Sequence, residues 1–97
     1  MAFAQIIEFR SADIDKIRQA GETWEQDTAG KRTARRRLLA RDHKDPDRYF
    51  MLVFFDSYES AMVNSELPET QASAARFAAL ADGPPNFYDL DILDDRS

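Results

Sequence analysis

Three sets of side chains in this sequence could do chemistry. His43 is the only histidine. It is also the only side chain present whose ordinary pKa lies near neutrality, which makes it the natural general acid or base. It stands in Asp42-His43-Lys44-Asp45-Pro46-Asp47, a run whose Asp and Pro content marks a turn. No serine nucleophile is presented beside it, so a solvated surface histidine is the alternative. Glu8 is the second acid–base candidate. Along a strand, Gln5 and Glu8 point to opposite faces, and partial burial of Glu8 in a pocket would raise its pKa. Third, Arg35-Arg36-Arg37 could clamp an anionic ligand or phosphate through planar guanidinium groups. Arg36 faces away from Arg35 and Arg37 on a strand and is taken as a ligand-binding candidate. The alternative is exposed ion pairing with acidic groups, worth little per pair.

Several other chemistries are excluded. Cysteine is absent, which removes disulfides, thiolate metal sites and cysteine nucleophiles together. Asp42, His43, Asp45 and Asp47 have some hard-ligand character, but the Asp-x-Asp-x-Asp-Gly order of a calcium loop is missing. No metal site is expected. The three glycines are nowhere paired, so no glycine-rich phosphate loop is present.

The elements that must position these residues belong to a chain of 97 residues, enough for one small domain over 1–97 and too short for two cores. Apolar residues make up 43% and charged residues 32%, the balance of an ordinary soluble domain. No apolar run reaches the roughly 20 residues of a membrane-spanning helix, and Met1 to Arg10 lacks the pattern of a secretory signal. A cytoplasmic location is expected. Eighteen acidic against thirteen basic residues give a net charge of −5, which works against a broad nucleic-acid surface.

Phe3 to Arg10 reads as a strand, with Phe3, Gln5, Ile7 and Phe9 on one face and Ala4, Ile6 and Glu8 on the other. Ser11 and Asp13 offer helix N-caps. Ile14, Ile17, Gly21 and Trp24 then form a helical stripe. Gly21 weakens that helix, and close approach to a sheet is the compensating reason. Gly30 is its expected stop. Thr33 to Asp42 is expected to be a partly exposed strand anchored by Leu38 and Leu39. Tyr49 to Phe55 is the strongest strand and is apolar on both faces, so both faces must be covered.

Asp56-Ser57-Tyr58-Glu59 resembles a capping box with Asp56 as the acceptor, opening a short helix from Tyr58 to Ser65. Pro68 breaks that helix and starts another, to about Ala81, striped by Ala74, Phe77, Ala78 and Ala81. Phe77 on that stripe is a ligand-binding candidate. Asp82-Gly83-Pro84-Pro85 ends it. Phe87 to Leu93 alternates as a last strand, and 94–97 is expected to be a loose tail.

The order βαββαβ predicts an α+β, ferredoxin-like domain, a four-stranded antiparallel sheet with both helices on one face. The other face would then carry Met51, Val53 or their neighbours into water. An exposed apolar face of this kind marks an interface, and two sheets packed face to face would cover each other. A twofold homodimer is the expected partner arrangement, with a monomer as the alternative.

Tyr49-Phe50-Met51-Leu52-Val53-Phe54-Phe55-Asp56-Ser57-Tyr58-Glu59-Ser60-Ala61-Met62-Val63-Asn64-Ser65 resembles the strand–helix core of antibiotic-biosynthesis-monooxygenase-like proteins. The shared pattern is an apolar strand, an aromatic, a Ser/Glu helix start, an alanine, and Asn-Ser near the helix break. The resemblance implies a dimeric α+β barrel. That group includes cofactor-independent quinone-forming monooxygenases, heme-degrading enzymes and proteins of unknown role.

The heme-degrading branch carries a Trp two residues before the Asn and an axial His seven after the Ser. Met62 and Ala72 stand there here, and the resemblance does not extend to heme. The cofactor-independent branch uses Asn, Trp and Tyr in a pocket between helices and sheet to hold a phenolic substrate in its deprotonated, oxygen-reactive form. The residues offered here are Trp24, Asn64, Tyr58 and Tyr88, with Phe55 in place of the usual Trp closing the third strand. Each has a plainer role: Trp24 as a core anchor, Asn64 at a helix end, Tyr58 packed with its hydroxyl in water.

The sheet order also matches RNA-recognition modules, but Arg48 to Phe55 carries Tyr49 where their signature requires glycine, and the chain is acidic. No nucleic-acid partner is expected. Two functions therefore stand: metal-free, cofactor-independent oxidation of an aromatic or quinone-like compound, or a non-catalytic dimeric binding or structural module on the same scaffold.

Overall fold

The computed structural model describes residues 1–96. Its elements run β1 (Phe3–Arg10), α1 (Ile14–Asp27), β2 (Arg36–Arg41), β3 (Arg48–Phe55), α2 (Tyr58–Glu66), α3 (Pro68–Leu80) and β4 (Asn86–Asp91). The four strands form one antiparallel sheet in the order β2-β3-β1-β4. The α+β, ferredoxin-like architecture expected from the sequence is thus the one observed, with the second helical region divided in two at Pro68. Pro68 supplies no N–H, and Leu67 before it is extended at φ −60°, ψ 132°.

Register decides which residues face the helices. Phe3, Gln5, Ile7 and Phe9 of β1 stand opposite Phe55, Val53, Met51 and Tyr49 of β3, and residues directly opposite in an antiparallel pair share a face. Phe3, Phe9, Tyr49, Met51, Val53 and Phe55 are all buried. Met51 and Val53 therefore do not lie on the open face of the sheet, contrary to one reading of the alternation. Their neighbours Phe50, Leu52 and Phe54 do, together with Ile6, Leu38 and Leu90 across the register. Among the described residues no helix is long and apolar enough to cross a membrane.

The ends of the elements differ from the sequence reading for local reasons. Asp13 Oδ1 accepts from the Lys16 amide at 3.2 Å and caps α1. Ser11 Oγ accepts from the Asp13 amide and donates to the Leu80 carbonyl, tying α1 to the end of α3. At the other end Thr28 Oγ1 donates to the Trp24 carbonyl at 2.6 Å, so α1 stops before Gly30, which occupies the following turn at φ 79°.

Strand β2 is shorter than Thr33–Asp42. Thr33 turns its hydroxyl to the Ser60 carbonyl, and Asp42 accepts from the amides of Lys44 and Asp45. The cap of α2 is Ser57, which accepts from the Ser60 amide at 3.0 Å. Asp56 instead pairs with Arg35. Strand β4 covers Asn86–Asp91 rather than Phe87–Leu93, although the Ile92 amide still reaches the Ala2 carbonyl. The tail has no regular structure over 94–96, and Ser97 lies outside the described residues.

Candidate functional site

Interiors normally pack without gaps, yet a cavity of about 540 Å³ lies between the helices and the sheet. Its origin is in the side-chain sizes. Helix α1 presents Ala20 and Gly21 to it, and α3 presents Ala74 and Ala78. Small side chains on both helices leave the space above Ile7, Met51 and Val53 unfilled. No residue of α3 is buried, as expected of a helix standing off the sheet. The volume falls within the ~300–1,000 Å³ of small-molecule sites.

Five groups give the cavity its chemistry. Trp24 is buried, and its Nε1–H donates to Thr70 Oγ1 at 3.0 Å, fixing the indole between α1 and α3. Asn64 is only 5% exposed, and its Oδ1 is buried with no hydrogen-bond partner. A buried acceptor left unsatisfied costs roughly 1–3 kcal/mol, which a turn of the amide toward a bound donor would recover. Arg37 reaches the wall from β2, and Gln5 from β1. Among the described residues the lining contains no Asp, Glu, His, Lys, Tyr or Cys. Arg37 is its one charged group.

Of the residues singled out in the sequence, Trp24, Asn64 and Phe77 line this cavity. Phe77 packs edge-on against Phe9 with ring centroids 4.7 Å apart. Glu8, Tyr88, Tyr58, Arg36 and His43 do not line it. Arg36 is exposed on the open face opposite Phe54. Tyr58 is half exposed at the start of α2, its ring edge-on to Phe3. His43 is exposed in the β2–β3 turn.

Glu8 faces away from the cavity, where its carboxylate accepts from Arg48 Nε, from the Tyr88 hydroxyl at 3.0 Å and from Asn86 Nδ2. The Arg48 hydrogen bond, then that of Tyr88, hold the Glu8 carboxyl below its ordinary range. Partial burial in a pocket would have raised it. Hydrogen bonds to the charged form outweigh desolvation here.

The Asp42–Asp47 turn also has its charges committed. Asp42 pairs with Arg48 at 2.9 Å and Asp45 with Arg10 at 2.6 Å. Among the described residues no three His, Cys, Asp or Glu side chains gather to hold a metal ion.

Arg37 entered the sequence reading only within the run Arg35-Arg36-Arg37, with Arg36 taken as the binding candidate, and Thr70 did not enter it. A signal for Arg37 was present in Gly21, a glycine inside a helix one turn before Trp24, where something large must come close.

No protein-family model matches the chain, and no curated protein sequence matches it. Solved structures do. SnoaB, a cofactor-independent oxygenase from Streptomyces nogalater, superposes with a TM-score of 0.80 at 10% identity, covering 97% of this chain and 95% of that one. A candidate antibiotic biosynthesis monooxygenase from Caulobacter crescentus gives 0.81 at 12% identity, covering 96% and 91%. Rv0793 from Mycobacterium tuberculosis gives 0.78 at 17% identity over 100% of both chains. At these identities the shared property is the fold: this chain has the α+β, ferredoxin-like architecture of proteins named as antibiotic biosynthesis monooxygenases.

Proposed function

We propose that the cavity binds a flat hydroxylated aromatic and that the protein oxidises it with dioxygen, without metal, heme or flavin. The observation that carries this reading is Asn64: a buried amide oxygen with no partner, on a residue of the wall of a mostly apolar cavity large enough for a small aromatic. A ring hydroxyl other than the one that ionises would satisfy that oxygen and fix the ring against Trp24. The name of SnoaB, a cofactor-independent oxygenase of the same fold, supports the same chemistry.

The step balances without an outside reductant. A phenol with a free ring position takes up one dioxygen. One oxygen atom becomes the new quinone carbonyl and the other leaves as water, and the substrate supplies all four electrons and both hydrogens. Since no side chain of the lining titrates near neutrality, the phenolic proton leaves through the cavity mouth to water. Turnover is then expected to rise with pH along the ionisation of the substrate itself, with no bell contributed by the protein.

The missing base also favours a second reading, a cavity that binds without turnover. An oxygen electrode separates the two. A panel of polycyclic phenols and hydroquinones is added to the purified protein, and ¹⁸O₂ is followed into product. Label in the new carbonyl and in water, lost in Asn64→Leu by roughly tenfold or more, is expected. Bound phenol with no oxygen uptake would assign the cavity to binding alone.

The oligomer belongs to the same proposal. Leu38 and Leu90 are 37% and 46% exposed on the open sheet face, beside the half-buried Ile6, Leu52 and Phe54. A second copy packed on this face would cover them and complete a barrel around the two sheets.

A further inference from the structure

We infer that the ligand of this cavity is an anion, an aromatic bearing a carboxylate-type group that seats on Arg37; the inference rests on the cavity being a ligand site. Arg37 is the one charged side chain of the lining, and its side chain is 19% exposed. A guanidinium carries five N–H donors in a fixed plane. Here Nη2 donates to Glu25 Oε1 at 3.0 Å, Nη1 reaches only the thioether sulfur of Met51 at 3.5 Å, and Nε is buried with no partner. Two groups of this guanidinium, Nη1 and the sealed-off Nε, are thus left without an oxygen acceptor beside the cavity. Carboxylate oxygens are the acceptors that guanidinium geometry suits best.

Two neighbours show that the seat is built. Helix α1 has a glycine where it crosses this guanidinium. A Cβ on Gly21 would lie 2.8 Å from Arg37 Nη2 and 2.9 Å from its Cζ, so any side chain there would evict the arginine. One helical turn on, the Trp24 ring lies 6.0 Å from Arg37 Cζ, a flat surface beside the charge. Glu25 offsets part of that charge, but its side chain is 48% exposed and its attraction is screened by water. The unpaired Asn64 Oδ1 would meet a bound donor on a turn of its amide, so the ligand carries an acid group and a hydroxyl at separate positions.

Trp24 is the only tryptophan, and energy transfer from it to a bound anthracene reports occupancy directly. Anthracene-2-carboxylate and its neutral carboxamide are titrated in deoxygenated buffer, so binding is read apart from any oxidation. The carboxylate is expected to bind roughly tenfold or more tightly than the carboxamide. Arg37→Met, which keeps the aliphatic stem, should abolish that preference. Glu25→Gln, which removes the competing carboxylate from an exposed position, should tighten carboxylate binding several-fold. Equal affinity of the two probes in the native protein would overturn the anionic ligand and leave the cavity as a neutral aromatic site. Binding of neither would overturn the ligand site itself. A preference that survives Arg37→Met would show that the charge is read elsewhere.

Discussion

Gly21 and Arg37 compete for one volume: the Cβ that Gly21 lacks would stand 2.8 Å from Arg37 Nη2, too near for both to remain. The two residues come from α1 and β2, so this is a tertiary reason for a glycine inside a helix. Where such a glycine faces only the tip of a flexible side chain, the tip can move, and the helix gains what glycine denied it.

Gly21→Ala is therefore expected to leave stability unchanged or raise it. Alanine is favoured over glycine by about 1 kcal/mol in a helix interior, against the roughly 0–1 kcal/mol of the displaced Arg37–Glu25 pair, which is half exposed on the glutamate side. The same substitution should remove the preference for an anionic probe, because the guanidinium no longer sits at the wall. Thermal melting and probe titration of one variant check both halves. A marked fall in melting temperature would mean that the neighbouring backbone, not the guanidinium, is what Gly21 accommodates.

The two faces of β3 predict opposite consequences for adjacent residues. Val53 is 8% exposed and faces the helices, whereas Leu52 lies on the open face beside Ile6 and Leu38. Leu52→Asp should leave a folded chain that sediments as a monomer, since the carboxylate stands on the proposed contact face. Val53→Asp instead puts a carboxylate under the helices, on the cavity wall opposite Arg37, and should destabilise the fold by roughly 1–3 kcal/mol while leaving the open-face contact intact. A Leu52→Asp protein that keeps its dimer in sedimentation velocity would place the contact elsewhere, and a monomeric native protein would remove it.

How far the sequence carries is seen in these same residues. Alternation in Phe3–Arg10, the unbroken apolar run Tyr49–Phe55 and the cap at Asp13 lie in local chemistry, and strand and helix order follows from them, whereas the cap of α2 is Ser57 and not the expected Asp56. What local chemistry does not contain is parity. Tyr49 to Phe55 is apolar at every position, so only register against β1 and β2 tells Val53 from Leu52. The same ambiguity hid Arg37: among three consecutive arginines, the one that enters the cavity is decided by pairing with Val53. Arg36 pairs with Phe54 on the outer face, and Arg35 precedes the strand and meets Asp56. Trp24 and Asn64 stand out through the resemblance to a monooxygenase-like pocket, and Phe77 through the stripe of its helix. That they line one cavity depends on the small side chains of two helices that meet only in the folded chain.

On the open face, Glu8, Arg48, Asp42 and Tyr88 form a polar cluster at one edge of the apolar surface, with Arg48 also stacked over Phe50 at 4.8 Å. Hydrogen bonds from Arg48 and then Tyr88 hold Glu8 below the ordinary carboxylate range, and the Lys44 amide followed by Arg48 does the same for Asp42. A carboxyl whose folded pKa lies below its unfolded one contributes stability that is fully present at neutral pH and is lost as pH falls through the folded value. Melting temperature should therefore drop between neutral pH and about pH 3. Glu8→Gln keeps the shape of the acceptor but cannot titrate, so it should be less stable than the native chain at neutral pH and flatter across the acid range. The two curves should approach each other at the acid end, where the native Glu8 is also uncharged. Because the cluster borders the proposed contact face, the dimer should loosen over the same range, and sedimentation at matched pH reads that directly. Parallel melting curves for the native protein and Glu8→Gln would show that the cluster contributes nothing to acid sensitivity and that other carboxylates carry it.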